Sequence, residues 1–155
     1  DPTYKVNPPL RSAEDVAALR DALTDGTVDA VATDHAPHAR HDKEHAFVDA
    51  AFGMVGLETA LAVVVETMVR PGALGWPEVA TRMSSVPAHI ARLADQGRPL
   101  AVGEPANLTL VDPERRAVVD RADSASLSRN NPWHGRDLPD PVVATWWAGR
   151  PTYAR

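Results

Sequence analysis

Val28-Asp29-Ala30-Val31-Ala32-Thr33-Asp34-His35-Ala36-Pro37-His38 is the stretch on which the fold turns. A short run of β-branched and alanine residues ends in Asp34, and histidines follow one and four positions on. The pattern predicts a buried strand over 28–33 with Asp34 at its C-terminal end, pointing out of the sheet. Pro37 keeps a helix from starting at once and holds a turn, so that His38 doubles back toward Asp34. A carboxylate and imidazoles at the end of an apolar strand suit metal ligation or proton transfer. The same pattern also fits a plain strand end with solvated polar residues.

The residues before it read as a helix. Ser12 is an N-cap, Glu14 and Asp15 lie in the first turn, and Val16, Leu19 and Leu23 recur at helical spacing. A helix over 14–24 is expected, stopped by Asp25-Gly26. Helix, short turn and buried strand form the unit of a parallel α/β architecture, in which functional groups sit at the C-terminal ends of strands. Further upstream, Asn7-Pro8-Pro9-Leu10-Arg11 is a loop stiffened by two prolines that holds Asn7 and Arg11 in place.

After His38 the chain is polar. His41-Asp42-Lys43-Glu44-His45 reads as a solvated loop, and the only two lysines, Lys5 and Lys43, both fall in loops. Gly53 permits a close backbone approach. Leu57, Ala60, Leu61, Val64, Val65 and Met68 predict a largely buried helix over 56–69. Two short helices follow, over 77–83 and 87–94, each with proline in its first turn and the second capped by Ser85. His89 lies in the second as a packed or surface residue. Beyond Gly97 the character changes. Strands are expected over 99–103, 107–111, 117–120, 142–147 and 152–154, forming a small β-layer. Trp133 anchors the loop over 128–133.

Composition bounds the function. The chain has 155 residues, a net charge of −5, 44% hydrophobic residues and no cysteine. Arg115-Arg116 is too small for a nucleic-acid footprint. The longest apolar run, 60–65, is far too short to span a bilayer. The lack of cysteine excludes thiol chemistry and disulfides and suits a cytoplasmic protein. Asp1-Pro2 opens the chain without a methionine, as in the middle of a longer protein.

Three motifs in order carry a resemblance. Asn7-Pro8-Pro9-Leu10-Arg11, Ala32-Thr33-Asp34-His35-Ala36-Pro37-His38 and Phe52-Gly53-Met54-Val55-Gly56-Leu57-Glu58 resemble the C-terminal portion of the bacterial-type dihydroorotases of the amidohydrolase superfamily. Residues 102–112 resemble the strand returning to that superfamily's small β-sandwich, and 128–135 its Asn-Pro-aromatic-x-Gly loop. The one departure is Asn107, where the family usually has Asp. The implied fold is α/β: residues 1–96 as the C-terminal end of a (β/α)8 TIM-type barrel, and 97–155 as a small β-sandwich subdomain.

The implied function is the reversible, metal-dependent hydrolysis of dihydroorotate to N-carbamoyl-aspartate in pyrimidine biosynthesis. Asp34 would be a metal ligand and the general base. His38 would bind the substrate carboxylate or carbonyl. Asn7 and the backbone at Phe52 and Gly53 would hydrogen-bond the ring. His35 would be structural or stand behind the ligands, and Arg11 a structural partner. The cofactor implied is zinc, in a binuclear centre of the complete enzyme. Partners implied are the small-molecule substrate, further copies of the chain and, for some relatives, aspartate transcarbamoylase. A full barrel takes about 250 residues, and the family's His-x-His pair, carboxylated lysine and other metal histidines lie upstream of this region. The chain is therefore expected to be an inactive fragment by itself. Two alternatives stay open: a hydantoinase- or allantoinase-like enzyme, and a non-catalytic dihydroorotase-like subunit that scaffolds aspartate transcarbamoylase.

Overall fold

A computed structural model describes all 155 residues. The fold is mixed α/β, with helices in the first two thirds and short antiparallel strands in the last. Helix α1 spans Ala13–Asp25. Ser12 and Asp15 form a reciprocal capping box at its start, and Gly26 ends it in the left-handed conformation at φ +92°. Arg11 pairs with Asp15 across 3.3 Å on the surface, as a structural partner of this helix.

The stretch 28–33 departs from expectation. It forms no ladder; the one bridge nearby is a parallel pair between His35 and Met54. The physical reason is that a parallel strand exists only through its neighbours, and this chain supplies a single bridging residue. The apolar side of the segment is still used: Val28 and Val31 pack on a core of Leu23, Val64, Met68, Leu74 and Val79. Val31 also donates its N–H to the Arg82 carbonyl at 3.1 Å.

The segment expected as solvated loop contains a short helix, α2 (Arg40–Lys43), and Lys43 is buried. The apolar helix starts later than its pattern suggests, as α3 (Ala60–Val64) running into a π-helical turn at Val65–Val69. The two short helices expected around Pro77 and Pro87 are one helical run: α4 (Trp76–Ala80), a π-helical turn (Thr81–Ser85) and α5 (Val86–Ile90). Pro87 has no N–H to donate and its ring crowds the carbonyl four residues back. The wider turn just before it, closed by Val86 N–H on the Thr81 carbonyl, lets the helix continue.

Five strands follow. β1 (Leu108–Val111), β4 (Val142–Trp147) and β5 (Arg150–Ala154) form one antiparallel sheet in the order β1-β4-β5. β2 (Arg116–Val118) pairs with β3 (Asp137–Pro139), a strand the sequence pattern misses. Residues 99–103, expected as a strand, have no ladder partner. The β4–β5 connection is the pair Ala148 and Gly149, both at positive φ, which matches the twist of a hairpin. Asn107 explains how alanine is held there: its side-chain oxygen accepts from Ala148 N–H at 2.8 Å, while its amide donates to the Asp95 carbonyl at 3.1 Å. An aspartate lacks that second donor. The β2–β3 pair ties back to the helices through Arg116, which contacts Glu66 and Asp137 at 2.9 Å each.

The packing is not closed. The accessible surface is 10225 Å². A folded monomer of 16.7 kDa is expected to expose about 7,600 Å². Val16 and Leu19 on the apolar stripe of α1 are exposed, as are Phe52, Leu57 and Leu100. No helix is long and apolar enough to cross a membrane.

Candidate active site

Asp34 is an exposed residue at φ +45°, a left-handed conformation that Asp tolerates better than most side chains. Its carboxylate has no hydrogen bond or ion pair within the chain. Immediately after it, His35 turns inward. Its Nδ1 accepts the backbone N–H groups of Gly56 at 3.2 Å and Leu57 at 3.1 Å, so Nδ1 is unprotonated and the ring proton sits on Nε2. His35 therefore holds the turn at 56–57 against the end of the 28–34 segment. The Ala36 N–H to Met54 carbonyl bond, 2.9 Å, completes this seam.

Three of the sequence-predicted residues come together. The His38 Nε2 lies 2.7 Å from the carbonyl oxygen of Phe52, so it is the donor. Gly53 sits beside both, at φ +136°. A Cβ there would fall 2.7 Å from the Ala36 Cβ and 2.8 Å from the His38 Nε2, which gives the glycine its physical reason. Asn7 is exposed and its side chain has no partner within the chain. Its loop is nonetheless docked on the same cluster, since Gly53 N–H donates to the Lys5 carbonyl at 2.9 Å.

Four further residues complete the arrangement. Asn130 donates from Nδ2 to the Gly53 carbonyl at 2.9 Å and the Ala36 carbonyl at 3.4 Å, and its Oδ1 accepts from the Ser128 hydroxyl. The Ser128 hydroxyl in turn accepts from His38 N–H at 3.2 Å. The loop over 128–133 is thus anchored by buried polar side chains as well as by the half-buried Trp133, whose backbone N–H donates to the Asn131 side chain at 2.9 Å. The sequence signal for this loop is the Asn-Pro-aromatic-x-Gly pattern at Asn131-Pro132-Trp133-His134-Gly135, which does not single out Ser128 or Asn130. Lys43 and Lys5 are each about 8% exposed and have no carboxylate partner. Lys43 Nζ donates to the carbonyls of Ala51 (2.8 Å) and Gly53 (2.9 Å), and Lys5 Nζ to that of Val48 (2.7 Å) with its charge 4.5 Å from the Phe52 ring centre. Nothing in the charge pattern marks either lysine as buried.

Electrostatically the site splits in two. Burial, then the nearby charge of Lys5, pushes the Lys43 ammonium below its ordinary pKa. On the far side Glu58 is lowered. Burial alone would raise it, but hydrogen bonds from Ser124, Ala125 N–H and Ser126 N–H outweigh that, with a smaller contribution from His35. As for a metal, a free carboxylate at Asp34 is a suitable single ligand, but no three His, Cys, Asp or Glu side chains come together anywhere in the chain.

No protein-family model matches the chain. Curated proteins do. The dihydroorotase of Streptomyces coelicolor is 59% identical over 152 residues, covering 98% of this chain and 36% of that protein. The dihydroorotase of Mycobacterium tuberculosis is 58% identical over 152 residues, 98% of this chain and 35% of that protein. Among solved structures, the L-hydantoinase (dihydropyrimidinase) of Arthrobacter aurescens superimposes with a TM-score of 0.90 at 31% identity, over 99% of this chain and 35% of that one. The chain spans about a third of the length of the relatives it matches. By sequence, nearly all of it matches the C-terminal end of the dihydroorotases.

Proposed function

We propose that this chain is the C-terminal part of a dihydroorotase and contributes the general base and part of the substrate pocket. In this reading residues 1–96 close a (β/α)8 barrel and 97–155 belong to a small β-sandwich, and the exposed apolar stripe of α1 is covered by the rest of the barrel. The observation that carries it is the near-60% identity to dihydroorotases across almost the whole chain. Metal dependence, with zinc as the family's expected ion, would rest on ligands elsewhere in the complete protein together with Asp34. A cytoplasmic location and assembly into homo-oligomers, or onto aspartate transcarbamoylase, belong to the same reading.

The chemistry assigned to this chain's residues is proton transfer and binding. The Asp34 carboxylate accepts a proton from the water that attacks the ring amide carbonyl. As the ring C–N bond breaks, Asp34 returns that proton to the departing nitrogen, and N-carbamoyl-aspartate results. His38 binds the substrate carboxylate, and Asn7 and the backbone at Phe52 and Gly53 bind the ring, through the Phe52 N–H and the second lone pair of its carbonyl, because the Gly53 N–H and carbonyl are already held within the chain. Because the His38 Nε2–H is already given to Phe52, His38 meets a carboxylate as a donor only through a protonated Nδ1.

The test is Asp34→Asn in the complete protein, since asparagine also tolerates the left-handed backbone at this position. Turnover of dihydroorotate should fall by about 10²–10⁴-fold, the typical loss of a general base, with the melting temperature nearly unchanged. Near-normal turnover would remove Asp34 from the mechanism. Hydantoin assayed alongside separates the hydantoinase-like alternative, which predicts the larger activity on the neutral ring.

A further inference from the structure

Lys43 is the least expected residue of the site. Its Nζ reaches three carbonyls from separate parts of the chain: Ala51 at 2.8 Å, Gly53 at 2.9 Å and Lys5 at 3.5 Å. The Lys5 carbonyl also accepts the Gly53 N–H at 2.9 Å. One ammonium thus closes a small ring of contacts in which both ends of the Gly53 residue are fixed, its N–H on Lys5 and its carbonyl on Lys43. The Gly53 carbonyl takes a second donor, Asn130 Nδ2, at 2.9 Å. Both of its lone pairs are then used, so that carbonyl faces inward and the Gly53 peptide is locked in one orientation.

We propose that Lys43 is a positioning residue whose ammonium sets the spacing between the Lys5–Asn7 loop and the Phe52–Gly53 loop, and so places Asn7 and the Phe52–Gly53 backbone for the substrate. The functional half of this inference rests on the dihydroorotase reading given above. Stability alone does not account for the residue. A buried ammonium with another lysine close by and no carboxylate opposes folding. An apolar side chain would avoid that penalty but would leave the Ala51 carbonyl unpaired and take one of two donors from each of the Gly53 and Lys5 carbonyls, and a neutral amide supplies two donors rather than three. Lys5 behaves as the partner in this arrangement. Its own ammonium is spent on the Val48 carbonyl and the Phe52 ring, so it holds the same loop from the other side.

The experiment uses the complete protein with Lys43→Met, which keeps the aliphatic stem and removes the charge. Two quantities are read. Hydrogen exchange at the Gly53 amide, which needs no assay of activity, should speed up at least tenfold while exchange in α1 is unchanged. KM for dihydroorotate should rise about tenfold with kcat falling less than threefold, because Lys43 touches no reacting atom. Lys43→Gln, with two donors, should lie between Lys43→Met and the parent in both. Should Lys43→Met fail to fold, Lys43→Gln carries the same comparison. Unchanged exchange at Gly53 overturns the proposal. Faster exchange with unchanged KM overturns its functional half. If the parent itself fails to hydrolyse dihydroorotate, the dihydroorotase reading falls, and the exchange at Gly53 still decides what Lys43 holds.

Discussion

The His38 imidazole donates its Nε2–H to the carbonyl of Phe52 across 2.7 Å. One side of the ring is therefore fixed on the loop that carries Gly53, and only Nδ1 is left for anything else. If the chain acts as proposed, replacing His38 with alanine in the complete protein removes a charge-assisted contact to the substrate carboxylate, about 1.5–3 kcal/mol, or roughly 10- to 150-fold in binding. KM for dihydroorotate should rise by that order and more than kcat falls, since the contact exists in ground and transition states alike. Metal bound per subunit should not change. An unchanged KM would sink this role, and a lost metal would make His38 a ligand instead.

Gly53 gives a sharper steric test. In Gly53→Ala the new methyl meets the Ala36 side chain and the His38 ring at distances that no relaxed side chain shows, on a backbone at φ +136°. The strain and overpacking together should cost about 2–5 kcal/mol. Gly103 is the control: its φ is +92° but nothing lies within 4 Å of its missing Cβ. Gly103→Ala should cost only about 1–2 kcal/mol, the left-handed penalty by itself. Denaturant midpoints of the two variants settle it, and equal shifts would mean that the close approach at Gly53 is relieved by a simple loop movement.

What the sequence shows and what it hides divides along a physical line. Helix α1 is legible because its start and stop are local: Ser12 and Asp15 cap each other, and Gly26 takes the turn. Gly53 is legible because a glycine beside an aromatic in a motif points to a close approach. The 28–33 segment misreads as a strand because pairing is a property of neighbours rather than of the segment. Pro87 misreads as a helix start because its effect is absorbed one turn earlier by a π-helical turn. Lys43 is invisible: a lysine inside a charge run looks solvated, and only the fold reveals three carbonyls aimed at it. The Asn130 contacts to Gly53 and Ala36 span 77 and 94 residues, and no local pattern encodes them.

Glu58 links this region to pH. Its carboxylate is held below its ordinary value of 4.5 despite the opposing effect of burial, by donors from the 124–126 loop. A carboxyl group whose folded pKa is depressed contributes stability that is fully present above the unfolded pKa and disappears as pH falls through the folded one. The difference in melting temperature between the parent and Glu58→Gln should thus be constant at about pH 6 and above, and shrink below about pH 4.5. A difference that stays constant down to about pH 3 would show that the donors from the 124–126 loop do not discriminate between the charged and neutral forms.

The exposed apolar stripe of α1 leads to the last prediction. Val16 and Leu19 lie on the same face as Leu23, yet only Leu23 reaches the core, while Phe52 and Leu57 stand exposed near the site. The total surface exceeds that of a closed monomer of this mass by roughly a third. Apolar surface of that extent drives association when it has no intramolecular cover. The isolated 155 residues should therefore self-associate, and salt should strengthen rather than weaken the association, as expected when apolar burial drives it. Leu19→Glu, on the exposed stripe, should reduce association of the isolated chain. In the complete protein the same substitution should lower the melting temperature, because the position would then be buried. Sedimentation velocity on the first and calorimetry on the second measure the two effects. A monomeric isolated chain that melts cooperatively, or a complete protein indifferent to Leu19→Glu, would show that this face needs no cover and would remove the packing argument for the chain as part of a larger barrel.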